Sequence, residues 1–204
     1  MWDQRYSTPE YLFGTEPAAF VRREAARLAP ASRILCLADG EGRNSVHLAS
    51  LGHHCTAMEF APSAIAKGRA LAAGRGVEVA FVEADIRDWQ WQPDSFEAVM
   101  AVFIQFADPA LRDDIFAGSI RTLRPGGMFF LHGYTPAQLA LGTGGPPQVE
   151  NLYTPELLAR AFAGNEVLRL HEYEAVLDEG RGHHGRSALI DLIARKPVPD
   201  RITP

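Results

Sequence analysis

The stretch Ile34-Leu35-Cys36-Leu37-Ala38-Asp39-Gly40-Glu41-Gly42-Arg43-Asn44 constrains this chain more than any other. An apolar run of this kind reads as a buried parallel strand, and the two glycines let the backbone turn sharply beneath a ligand. The residues that follow favour a helix, so free N–H groups at its start face whatever sits there. A second apolar run over 54–58 ends at Glu59, at the separation where nucleotide-binding folds place a ribose-gripping carboxylate. A Gly-x-Gly alone marks many tight turns. Paired with Glu59, Gly40 and Gly42 point to a nucleoside-containing cofactor approached closely by the backbone.

Strand and helix patterns alternate along the rest of the chain. A helix is predicted to open at Glu16-Pro17 and run to Leu28, with Pro17 in the first turn, where its missing N–H costs nothing. Strands are predicted over 33–37, 54–58, 77–83, 96–103 and 128–132, and helices over 44–51, 63–73 and 110–123. Such alternation implies right-handed crossovers and a doubly wound parallel sheet. The segment 135–153, rich in Gly and Pro, reads as a long functional loop, and Thr154-Pro155-Glu156 caps a further helix. Two strands over 167–177 and 187–195 follow with no helix between them, so they are antiparallel to each other. The expected fold is a seven-stranded, mostly parallel α/β sheet with an antiparallel final hairpin. It forms one domain over 1–196 and is followed by a loose tail over 197–204.

Ligands in open α/β sheets bind outside the carboxyl ends of the parallel strands. That edge carries Gln105 after the fourth strand, His132 and Tyr134 after the fifth, and Arg181, His183, His184 and Arg186 on the hairpin turn. His132, Tyr134, Arg181, His183 and His184 are therefore the candidate catalytic residues. Arg43 sits where a cation opposes the helix macrodipole, which suggests an anionic partner nearby. Trp2, Tyr6 and Phe13 give the N-terminal segment 1–15 more ring surface than an unstructured tail carries, and it reads as a lid over the cofactor.

Composition narrows the partners. A formal charge of -5 leaves no basic footprint for nucleic acid. No apolar run approaches a bilayer span and no secretion signal is evident, so a cytoplasmic chain without a membrane partner is expected. Cys36 and Cys55 fall in strands and read as core thiols, and adjacent histidines in a turn suit a single metal ion poorly. A monomer or weak homodimer is expected.

Five parallel strands closed by a hairpin resemble the class I S-adenosylmethionine-dependent methyltransferases, over essentially the whole chain. The resemblance implies S-adenosyl-L-methionine as cofactor and S-adenosyl-L-homocysteine as its product. Ala38, Asp39, Gly40 and Gly42, with Asn44 at the helix start, stand where that family's first motif holds the cofactor. Glu59 and Phe60 stand at the ribose position, Asp85 and Ile86 at the adenine, and Val102 and Phe103 where the fourth motif lines the methyl group. Leu123-Arg124-Pro125-Gly126-Gly127 matches the turn before the family's fifth strand, and the aromatic lid adds Trp2 and Tyr6 to the cofactor set.

Further stretches resemble a bacterial group related to tellurite-resistance methyltransferases and, more distantly, thiopurine S-methyltransferases. They include Tyr11-Leu12-Phe13-Gly14-Thr15-Glu16-Pro17, Gly133-Tyr134-Thr135-Pro136 and Glu179-Gly180-Arg181-Gly182-His183-His184-Gly185. Ala38 replaces the motif's usual first glycine and Glu59 its commoner aspartate. A methyl group at Ala38 is tolerable only with a negative φ. The function implied is methyl transfer to a small soft nucleophile, a thiol or a chalcogen oxyanion, with Arg181 and Arg186 pairing an anionic acceptor. The alternatives are a small-molecule O- or N-methyltransferase with a histidine base, a cofactor-binding sensor without turnover, or a nicotinamide-dependent oxidoreductase. The last lacks its third glycine near Val46.

Overall fold

The computed structural model describes residues 2–199. The strands are β1 (Arg33–Leu37), β2 (His54–Glu59), β3 (Ala80–Glu83), β4 (Phe96–Val102), β5 (Leu123–Tyr134), β6 (Glu166–Asp178) and β7 (His184–Arg195). The α-helices are α1 (Trp2–Tyr6), α2 (Ala19–Glu24), α3 (Arg43–Ser50), α4 (Pro62–Arg75), α5 (Pro109–Thr122), α6 (Gln138–Leu141) and α7 (Pro155–Ala161). The strands form one sheet in the order β3-β2-β1-β4-β5-β7-β6. β1 to β5 run parallel, while β7 is antiparallel to both β5 and β6. The expected architecture is the one observed, and the strand order reverses between β1 and β4, where such folds open a crevice.

Period-two alternation distributes the core over both sheet faces. Leu35, Leu37, Val99, Phe129 and Leu131 pack with Phe116 and Phe162 on one side. Ile34, Cys36, Met100, Phe130 and Ile193 pack with Phe20, Val21 and Leu48 on the other. Cys36 and Cys55 are buried free thiols.

Several boundaries differ from the sequence expectation for local reasons. α2 begins at Ala19 rather than with Pro17 in its first turn, because Ala18 is extended and gives its N–H to Asn44 Oδ1 at 3.0 Å. It stops at Glu24, and a 3-10 turn carries the chain on to Arg27. β3 begins at Ala80, not Val77, because the Val77 N–H bonds back to Ala72 O at 3.1 Å around the left-handed Gly76 that ends α4. The segment 135–153 is not an open loop: it holds α6 and a 3-10 turn over Val149–Asn151. Gln105 staples that segment down, since its side chain pairs with Tyr134 N at 2.7 Å, Tyr134 O at 2.8 Å and Asn151 O at 3.2 Å. The tail expected to be loose lies mostly, over 200–204, outside the described residues. Among the described residues no helix is long and apolar enough to cross a membrane.

Candidate active site

A cavity of about 470 Å³ opens at the carboxyl ends of β1, β2 and β4, and its floor follows from the turn after β1. Ala38 has φ +44°, in the left-handed region, which contradicts the negative φ expected of it. The reversal lets the Asp39 N–H reach Met58 O on β2 at 3.1 Å and Gly42 N reach Asp39 O at 3.3 Å. A Cβ in this conformation costs roughly 1–2 kcal/mol. Ala38→Gly is therefore expected to raise stability by up to about 1 kcal/mol, glycine's larger unfolded-state entropy offsetting part of the relief. Denaturant unfolding measures this, and a lower midpoint would contradict the strain.

The strain recurs at Phe103, which leaves β4 with φ +56° and carries its ring against the cavity. Such outliers gather where surrounding structure fixes a functional geometry.

Gly40 and Gly42 have different roles. Gly40 lines the cavity with φ +61°. Gly42 does not line it, which corrects its assignment as a cofactor contact. A Cβ at Gly42 would sit 2.9 Å from Gly68 Cα, so this glycine serves the packing of α3 on α4.

Asp39 lines the cavity, and its Oδ2 is sealed from solvent with no hydrogen-bond partner. Burial pushes its carboxyl up to about 7; Glu59 adds to the rise, and Ser45 and Arg43 oppose it. Glu59 closes the opposite side, accepting from Gly40 N at 2.9 Å through Oε2 and from Phe60 and Ala61 N at 2.8 and 2.9 Å through Oε1. Its extra methylene lets one carboxylate both brace the glycine turn and hold the two residues that precede α4. Asp85 lines the far end and is held by Arg87, whose N–H and Nε both lie 3.0 Å from Oδ1. Trp2, Tyr6, Ala38, Asn44, Phe60, Ile86, Val102 and Phe103 also line the cavity.

The N-terminal segment lies across this floor. Glu41, between the two glycines and nearly fully buried, accepts from Leu12 N at 2.7 Å and pairs with Lys67 at 2.7 Å. Asp3 accepts from Ser63 N at 2.8 Å at the head of α4. Trp2 and Tyr6 stack with centroids 5.8 Å apart. Arg43 has the anionic partner its position suggested: its Nη2 lies 2.8 Å from Glu179 Oε2, and its Nη1 donates to Phe13 O at 3.2 Å.

The catalytic candidates separate sharply. His183 lines the cavity, its ring 4.0 Å from Phe103 and 4.4 Å from Phe13 between centroids. Burial lowers its pKa; Glu179 pulls it back up, and Arg43 and His132 lower it further.

The other four do not line the cavity, nor does Gln105. His132 is buried behind Phe103, stacked on Phe20 at 5.0 Å, with Nδ1 2.7 Å from Asp191 Oδ1. Asp191 is wholly buried and also meets Arg23, Arg169 and the Tyr173 hydroxyl at 2.6, 3.2 and 3.2 Å. Tyr134 is buried beneath Phe103 and His183, and burial pushes its hydroxyl well above the ordinary range. Arg181 is exposed and lies 3.6 Å from Glu10. His184, the first residue of β7, is exposed beside Asp178 at 3.3 Å, unlike its buried neighbour His183 in the turn. Arg186 pairs with Glu174 at 2.7 Å on the exposed hairpin surface.

Sequence reasoning missed Met100 on the cavity wall, as well as the holding roles of Glu41, Glu179 and Asp191; Phe106, in the stretch 103–106 matched to the fourth motif, does line it. Only the position of Glu41 between two functional glycines was a signal. Among the described residues no cluster of three His, Cys, Asp or Glu side chains could hold a metal ion.

Residues 34–127 match the family model described as a methyltransferase domain. The demethylmenaquinone methyltransferase of Clavibacter sepedonicus is 38% identical over 97 residues, 47% of this chain and 38% of that protein. The ubiquinone biosynthesis O-methyltransferase of Xanthomonas campestris pv. campestris is 33% identical over 134 residues, 63% of this chain and 55% of that protein. The chain thus spans about half or less of the length of these curated relatives. A solved structure described as "Conversion of a Disulfide Bond into a Thioacetal Group during Echinomycin Biosynthesis" superposes with TM-score 0.75. It is 20% identical, over 96% of this chain and 87% of the other. Residues 34–127 thus match a methyltransferase domain, and the whole chain shares its fold with that solved structure.

Proposed function

We propose that this protein transfers the methyl group of S-adenosylmethionine to a small, uncharged acceptor bearing an acidic S–H or O–H. The observation that carries the cofactor reading is Asp39, a cavity-lining residue beside Gly40 whose carboxylate Oδ2 is buried without a partner, with Glu59 also on the lining. A buried acceptor of this kind calls for a donor, and the cofactor's ammonium group is one. Glu59 keeps an acceptor site for a ribose hydroxyl while holding its three backbone partners, since a carboxylate offers about four such sites. When bound, the cofactor supplies a methyl group on a sulfonium, whose S–C electron pair returns to sulfur as the acceptor's lone pair takes the carbon. The chain's task is to align the acceptor, exclude water with the segment carrying Trp2, Tyr6 and Phe13, and receive the acceptor's proton at His183.

The electrostatics favour an uncharged acceptor over the chalcogen oxyanion. Arg181 and Arg186 lie outside the cavity, and the two arginines that line it, Arg43 and Arg87, are each matched by a carboxylate. Asp39, Glu59, Asp85 and Asp108 also line it, so an anion would enter against carboxylates with no free cation to meet it. The walls offered by Phe13, Phe103 and Phe106 suit an apolar or aromatic body. Names of relatives point to both chemistries, O-methyl transfer in the ubiquinone case and sulfur in the thioacetal case. The test is incubation with labelled S-adenosylmethionine and four acceptors: thiophenol, catechol, selenite and tellurite. Transfer to the first or second and not to the oxyanions is expected; transfer to the oxyanions alone would overturn the acceptor assignment, and none to any would overturn the activity.

Asp39 makes cofactor affinity pH-dependent. Its carboxylate must be charged to meet an ammonium, so affinity for S-adenosylhomocysteine is expected to fall by up to about tenfold per pH unit below about 7 and to level off above it. In the free protein the sign is opposite: a raised carboxyl pKa means this group adds stability as pH falls from about 7 towards the ordinary carboxylate range. Calorimetric titration across this range, with Asp39→Asn as a weaker but pH-flat control, measures the first effect. A pH-independent wild type would contradict it.

A further inference from the structure

We propose that Glu179 is a positioning residue for His183, fixing which ring nitrogen holds the proton so that Nε2 faces the cavity as the proton acceptor. This rests on the reading of His183 as the base. The hairpin turn is closed by a backbone bond from Glu179 N to His183 O at 2.9 Å, which brings the two side chains together, and His183 lines the cavity. Both are about nine-tenths buried. The ring lies between Phe13 and Phe103, with Tyr134 edge-on at 5.8 Å, so its faces are covered and only its edges reach polar groups.

Nδ1 is sealed and has no hydrogen-bond partner; the Glu179 carboxylate lies near it, with Oε2 at 3.9 Å. A neutral imidazole carries one N–H and one lone pair. A lone pair on Nδ1 would face the carboxylate repulsively in a poorly screened pocket, whereas an N–H is attracted to it. The proton therefore sits on Nδ1, and Nε2 keeps its lone pair for the cavity.

Glu179 is itself held charged. Burial works to raise its carboxyl, but His183, Arg43 and the Ala19 N–H outweigh burial and hold it at about 2. Ala19 N donates to Oε1 at 2.9 Å and Arg43 lies against Oε2, so the carboxylate cannot swing away. The other charged or titratable groups facing the imidazole are Arg43 from α3 and His132 and Tyr134 from β5. Arg43 and His132 both work against a charged ring, and Glu179 alone favours it. In turnover the acceptor's proton moves to Nε2 as its electron pair takes the methyl group. The resulting imidazolium, with Nδ1–H still against Glu179, releases that proton to water.

The test is long-range ¹H–¹⁵N NMR of histidine-labelled protein, with the His183 signals assigned by their loss in His183→Gln. The wild type is expected to show His183 as the Nδ1–H tautomer. Glu179→Met, which removes the acceptor, should bring in the Nε2–H tautomer. Glu179→Gln, which removes only the charge, should keep Nδ1–H and move the His183 titration to lower pH. An Nε2–H wild type, or a tautomer and titration unchanged in both variants, would overturn the assignment. Calorimetry with S-adenosylhomocysteine on the same samples separates the two readings, because lost cofactor binding in a wild type with the expected tautomer counts against the function and not against Glu179.

Discussion

Replacing Glu59 with alanine is expected to weaken S-adenosylhomocysteine binding by about ten- to a hundredfold. A ribose hydroxyl bond to a charged acceptor is worth about 1.5–3 kcal/mol. The same carboxylate accepts from Gly40, Phe60 and Ala61, so the alanine variant also frees three backbone N–H groups beside the glycine turn. Glu59→Asp separates these roles. The shorter side chain restores the commoner ribose acid but cannot hold Gly40, Phe60 and Ala61 as fully, so it should bind nearly as well with a lower unfolding midpoint. Near-normal affinity in Glu59→Ala, with an intact fold by circular dichroism, would remove Glu59 from the cofactor site.

The second large effect is at His183. With a phenolic acceptor, His183→Ala is expected to lower kcat by about 10²–10⁴-fold, the usual contribution of a positioned base, while affinity for S-adenosylhomocysteine changes little. With an acidic thiol the loss should shrink as pH rises, because the acceptor then arrives deprotonated. His184→Ala should leave both unchanged, since that ring is exposed beside Asp178. Equal losses at His183 and His184 would mean that the hairpin acts as a unit and not through one nitrogen. Equal loss with thiol and phenol at high pH would place His183 in binding and not in proton transfer.

The fold was legible because its signals are local and redundant. The apolar runs of β1, β2, β4 and β5 pack on both faces, and the hairpin without a crossover helix had to be antiparallel. The floor of the site was legible for the same reason: Asp39, Gly40 and Glu59 sit at strand ends, and topology brings strand ends to one edge. The side-chain direction of the later candidates was not legible. His132 and Tyr134 do follow the functional edge, but the left-handed turn at Phe103 swings an aromatic ring in front of them, and no sequence pattern announces a phenylalanine with positive φ. His183 and His184 are adjacent in sequence and lie on opposite sides of the hairpin. The carboxylates that hold the site together, Glu41, Glu179 and Asp191, find their partners only in three dimensions, 26 or more residues away for the pairs Glu41–Lys67 and His132–Asp191. Ala38 illustrates the limit of a residue-by-residue rule. A methyl group was expected to forbid the left-handed region, yet the bonds from Asp39 to Met58 and from Gly42 to Asp39 hold it there.

Titration calorimetry of the folded chain with S-adenosylhomocysteine near neutral pH tests the central claim most directly. One saturable site per chain is predicted, lost in Glu59→Ala and weakened in Asp39→Asn. A folded wild type that takes up no ligand, or one whose binding is indifferent to both substitutions, would contradict the assignment of this cavity to the cofactor.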